Sequence, residues 1–179
     1  MDLCKKACKK EVPLPPDPPS PPSIPPPLGT VPCTQAFDMI TSAVILDCGS
    51  PIGMTQWEAD HIRRAKRLLS DAGVMSMAEL DANTIKWCRL RKGSGMAPQH
   101  GQVLLAKSLQ GDDFNTALTL AHEIYHQRQY QKLGPARFKC EYHAQYVQCG
   151  GCQDREHPIE REAYQFEDRV SKRLDRYLR

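Results

Sequence analysis

His122-Glu123-Ile124-Tyr125-His126 sits inside a stretch, Asn115 to Leu133, that reads as one unbroken helix, and no other feature constrains the fold as tightly. Asp112 and Asp113 are candidate caps, Ala117, Leu118, Leu120 and Ala121 are good helix formers, and Gly134-Pro135 is a stop signal. Residues four apart lie one above the other on a helical face, so His122 and His126 can bind one zinc ion. Glu123 would then project toward a water on the same ion and act as general base. A catalytic zinc also needs a third protein ligand and one open position, so a second segment has to approach this helix.

The best third ligand is Glu160. It lies in Pro158-Ile159-Glu160-Arg161-Glu162-Ala163-Tyr164, where proline suits a first helical turn. Ile159, Ala163, Phe166, Val170, Leu174 and Tyr177 then form an apolar stripe at helical spacing. Docking of that stripe would leave Glu160 at the edge of the buried face, and small Ala163 would permit close approach of the two helices. Glu162 is the alternative ligand, but it points about 200° around the helix from Glu160, so only one of the two can face the metal. His143 is a reserve ligand, whereas His61 and His100 read more simply as surface or hydrogen-bonded histidines.

The combination of H-E-x-x-H with E-x-x-A on a second helix resembles the gluzincin group of zinc metallopeptidases, whose pattern is H-E-x-x-H followed by E-x-x-[Ala or Ser]-Asp. Residues 121–130, Gly134-Pro135-Ala136-Arg137-Phe138 and 158–164 are similar to small bacterial zincin-like peptidase domains. The similarity covers about residues 95 to 170. It implies zinc ligands His122, His126 and Glu160, catalytic base Glu123, and an edge strand over the metal along which a protein or peptide substrate aligns by main-chain hydrogen bonds. Two positions depart from the pattern: Tyr164 replaces the Asp, and His157 replaces an Asn commonly found before the proline. That Asp usually orients a ligand histidine, so the Tyr164 hydroxyl or another group must do so here. Tyr164, Tyr142, Tyr146 and His143 are candidates to orient a ligand or stabilise an oxyanion, with Tyr130 a further hydroxyl to consider for the second role.

The expected architecture is a small, mostly helical α+β domain over residues 33–179, with a β-hairpin or small antiparallel sheet ahead of the metal helix. A helix after Cys33 would face Phe37, Ile40, Ala43 and Val44 inward, and Gly49-Ser50-Pro51 would close it. Thr55 and Glu58 form a capping box for a second helix burying Trp57, Ile62, Ala65, Leu68 and Leu69, with a short third helix near Ser76. Thr84 to Leu90 and Gln102 to Leu109 read as two strands, turned by Gly93-Ser94-Gly95, the second being the candidate edge. A further helix should run from Pro135 to about Gln148.

Ahead of the domain, residues 1–32 read as a disordered arm, basic and Cys-containing at its start and proline-rich from Pro13 to Pro27. A proline run of this kind is extended, about 3.1 Å per residue, and is first a stiff spacer, secondly a PxxP ligand for a partner with an aromatic groove. A net charge of +3, with basic residues scattered over several segments, does not argue for nucleic acid. No apolar run approaches the roughly 18 residues that would span a membrane. Eight cysteines suit disulfides in an oxidising, secreted or periplasmic setting, although Met1-Asp2-Leu3-Cys4-Lys5-Lys6 lacks the apolar core of a secretory signal. Cys140, Cys149 and Cys152 with His157 have ligand-like spacing for a second, structural zinc, but Cys140 bonding to Cys149 or Cys152 is the simpler expectation.

These features point to zinc-dependent peptide-bond hydrolysis. Two alternatives stand beside it: a zinc-stabilised binding module without catalysis, and a delivered toxin or effector carrying the same domain.

Overall fold

The computed structural model describes residues 31–48 and 53–179. The proline-rich arm and the Gly49-Ser50-Pro51 loop therefore lie outside the described residues. Helix α1 (Cys33–Val44) leads directly into a short strand β1 (Ile45–Asp47), then come α2 (Gln56–Asp71) and the single-turn α3 (Met77–Asp81). Strands β2 (Thr84–Leu90), β3 (Gly95–Gln99) and β4 (Gln102–Ala106) follow, and a 3-10 turn (Lys107–Leu109) delivers the chain to α4 (Asp113–Leu133), α5 (Pro135–Gln148) and α6 (Pro158–Tyr177). The class is α+β. Among the described residues no helix is long and apolar enough to cross a membrane.

Local chemistry sets the helix ends where the sequence places them. Thr55 and Glu58 make the reciprocal capping box of α2, with Glu58 N donating to Thr55 Oγ1 at 3.2 Å and Thr55 N donating to Glu58 Oε2 at 2.9 Å. Asp112 caps α4 by accepting from Asn115 N at 2.9 Å. Gly134 ends α4 at φ 81°, a conformation that glycine adopts without steric cost, and Pro135 opens α5 in the next step.

The hairpin ahead of α4 exists, but its strands are β3 and β4. Sheet order is β1-β2-β4-β3, with β2 and β4 parallel and both outer pairs antiparallel. The chain leaves β2, bypasses the β4 position, forms β3 at the border and returns through His100-Gly101, where Gly101 has φ 77°. Gln102 to Leu109 is thus corrected twice: its strand stops at Ala106, and β4 is an interior strand. The edge is β3, which tolerates Pro98 because a border strand can do without one N–H donor.

Helix α4 is buried nearly all round, as a helix must be when elements cover every side of it. Ile62 and Leu69 of α2, Trp87 of β2, Val103 and Leu105 of β4, Leu120 and Ile124 of α4, and Val170 and Leu174 of α6 form the main core. A second, aromatic cluster joins Phe37, Ala97, Tyr130, Phe138, Tyr142 and Ile159, and it seats α1 and α5 beside the C-terminal half of α4. Three expected core positions are exposed. Ala43 is exposed, Tyr177 is half-exposed at the end of α6, and Trp57 is 52% exposed, stacked on the ring of buried His61.

Disulfides join Cys33 to Cys140, Cys48 to Cys88 and Cys149 to Cys152. The expected bond from Cys140 to Cys149 or Cys152 is not formed, since Cys140 and Cys149 are about 13 Å apart along one helix, beyond disulfide reach. Cys149 instead closes on Cys152 through Gly150 and Gly151, both at positive φ. These cross-links leave no thiolate set for a structural zinc at Cys140, Cys149 and Cys152. Three bonds are consistent with an oxidising, extracytoplasmic location.

Candidate metal centre

The cradle is built by one turn of α4 and the first turn of α6. His122, His126 and Glu160 each present one ligand atom, all within 4.8 Å of one another, and this is the one such group among the described residues. His122 Nε2 and His126 Nε2 lie 3.1 and 3.2 Å from Glu160 Oε2, and 3.2 Å from each other. Both histidines are buried, at 6% and 4% exposure, so the three donors face one another away from bulk water.

What lies behind the rings decides what the cradle can hold. Glu167 Oε2 accepts from His122 Nδ1 at 2.8 Å, and Gln129 Oε1 accepts from His126 Nδ1 at 2.8 Å. The Gln129 amide is itself oriented, because its Nε2 donates to Ile159 O and to Glu162 Oε2, both at 3.1 Å. In the neutral tautomer protonated on Nδ1, both Nε2 lone pairs and a carboxylate oxygen converge on one point. Three acceptors at hydrogen-bond separation in a buried site could hold a cation between them. A divalent ion that takes imidazole and carboxylate donors fits this set.

The electrostatics tie the three groups to one another. Burial alone would depress His122, but the Glu160 and Glu167 carboxylates bonded to it prevail and raise its pKa to about 10. His126 is likewise raised, burial being outweighed by Glu160. Glu160 moves the other way, below the carboxylate range, because the attraction of His126 and His122 overrides its desolvation. Glu123 is the exception among the acids. Burial pushes it up to about 7, and the two histidines offset this only in part.

Glu123 borders a cleft of about 160 Å³ together with the triad. The opposite wall is α1, through Phe37, Ile40, Thr41 and Val44, and the rim is the Lys92–Ala97 stretch leading into β3. Gly95 lies against Glu123 so closely that a β-carbon there would come within 2.7 Å of Glu123 Oε1 and 2.6 Å of Thr119 Cγ2.

The remaining candidates take other places. Glu162 is outside the triad and supports Gln129. Tyr142 donates from its hydroxyl to Glu160 Oε1 at 2.8 Å and so orients the third ligand. Tyr130 donates to Ala97 O at 3.3 Å, and Tyr146 packs against the aromatic cluster beside Gly151. His143 is not part of the ligand group, although its Nε2 is buried without a hydrogen-bond partner. His157 caps α6, its Nδ1 accepting from Glu160 N at 3.5 Å while Nε2 donates to Tyr142 O at 3.1 Å. Tyr164 does not hydrogen-bond a ligand; its ring packs edge-to-face on the His122 ring at 4.6 Å. Glu167 and Gln129 do the orienting, and neither stood out in the sequence. The spacing of Glu167, seven residues after Glu160, and of Gln129, three after His126, was the available signal.

No family model, curated protein or solved structure matches this chain.

Proposed function

We propose that the cradle binds zinc and that the domain hydrolyses peptide bonds, with His122, His126 and Glu160 as ligands and Glu123 as catalytic base. The observation that carries this reading is a buried His-His-Glu triad opening on the same cleft as a fourth, unligated carboxylate. Zinc, when held there, supplies positive charge that acidifies water and polarises a substrate carbonyl. Glu123, whose carboxylate borders the same cleft, is placed to take a proton from water and to return it to the leaving amine. Tyr142 and Glu167 keep Glu160 and His122 in place during both transfers. The border strand β3 is the element along which an extended peptide would align, in place of β4. The disulfides support a secreted or periplasmic site of action.

The test is metal analysis together with cleavage of casein or a peptide library by wild type and Glu123→Gln. Bound zinc with cleavage that disappears in Glu123→Gln is the expected result, and undiminished cleavage by that variant would reject the mechanism. Zinc without cleavage in wild type would favour the second reading, a metal-stabilised binding module, which Tyr164 in place of the Asp of the resembled pattern supports.

A further inference from the structure

Attack on a carbonyl places negative charge on its oxygen, and a donor fixed in advance at that position is a large part of catalysis. Resting on the peptidase reading above, we propose that the Tyr164 hydroxyl is this donor, a catalytic group that hydrogen-bonds the developing oxyanion of the substrate carbonyl.

Two other hydroxyls near the centre are already committed, Tyr142 to Glu160 and Tyr130 to Ala97. Tyr146 and His143 are not among the residues bordering the cleft, whereas Tyr164 is. Lys92 and Ser94 also border it, but they stand exposed on a loop. The Tyr164 ring, in contrast, is fixed. It lies edge-to-face on His122, and the Arg155 guanidinium sits over it at 4.9 Å. Arg155 is itself held by a two-pronged pair with Asp168 at 2.7 and 2.8 Å. A clamped ring carrying a protonated phenol at the cleft wall costs little reorganisation when charge develops.

The position also makes chemical sense within α6. Orientation of His122 falls to Glu167, one turn beyond Tyr164, so residue 164 is not needed behind the ligand and its side chain is left to the cleft.

Tyr164→Phe removes the hydroxyl and keeps the ring, so zinc content should be unchanged. KM should stay within about twofold while kcat falls about 10²-fold. Affinity for a phosphinic peptide, whose tetrahedral oxygens imitate the oxyanion, should fall by a comparable factor, and affinity for the parent peptide should not. Glu123→Gln is assayed alongside. If Glu123→Gln is inactive and Tyr164→Phe matches wild type, the Tyr164 assignment is overturned and the peptidase reading stands; if Glu123→Gln cleaves normally, the peptidase reading itself fails. Loss of zinc from Tyr164→Phe, or equal weakening of substrate and phosphinic peptide, marks a structural role and overturns the assignment. Should wild type cleave none of the peptides, phosphinic-peptide binding decides, and equal affinity for wild type and Tyr164→Phe overturns it.

Discussion

Glu167 Oε2 accepts a hydrogen bond from His122 Nδ1 at 2.8 Å, from a position two helical turns beyond the Glu160 that faces the other nitrogen of the same ring. One helix thus holds His122 from both sides. Such an outer partner fixes the tautomer and raises ligand basicity. Glu167→Ala should leave the fold intact and weaken zinc binding about 10- to 100-fold, read by competition with a chromophoric chelator.

Glu160 and Glu162 are two residues apart but do different work, since Glu162 reaches His126 only through Gln129. Glu160→Gln should abolish tight zinc retention on dialysis, whereas Glu162→Gln should reduce it modestly. The reverse order would transfer the ligand role to Glu162.

Gly95 sets the clearance around Glu123. A methyl group there meets the carboxylate and Thr119 at distances that side chains do not tolerate, so Gly95→Ala has to push the Glu123 side chain aside. The triad is untouched, and zinc stoichiometry should therefore be normal. Cleavage should fall by up to about 10²-fold through displacement of Glu123, with a stability loss of about 1–3 kcal/mol by thermal unfolding.

His157 gives the first turn of α6 a pH dependence. Burial lowers its pKa below the ordinary 6.5, so the neutral ring is the form the fold prefers. Its contribution is therefore present above pH 6.5 and is lost as pH falls through the depressed native value, when Nδ1 gains a proton and can no longer accept from Glu160 N. His157→Asn keeps a capping acceptor without titrating. Thermal unfolding between about pH 5 and 7 should show a shallower acid slope for His157→Asn than for wild type, and equal slopes would remove His157 from the account.

How far all this was legible follows from where the information lies. Helix ends such as Thr55/Glu58 and Gly134-Pro135 are local chemistry, and they fall where the residues say. The triad was legible for a related reason: His122 and His126 share one turn, and Glu160 stands beside an apolar stripe that had to be docked. Strand β3 was hidden because Gly95 and Pro98 have poor strand propensity, and only its border position makes them acceptable. Burial of His61 depends on Asp113 and the Gly111 N–H, about fifty residues away, which no local pattern reveals. The two long disulfides span 107 and 40 residues, so their partners are fixed by tertiary approach alone. Glu167 sits in a helix rich in charge, where one carboxylate looks like another until α4 arrives beside it.

The segment from α1 to β1 is riveted at both extremities, by Cys33 to α5 and by Cys48 to β2, while the ion cradle draws its donors from α4 and α6 alone. The donor cluster and the wall that faces it across the cleft are thus secured by different chemistry. Reduction would therefore unfasten the α1 wall while leaving the three donor side chains themselves chemically unchanged.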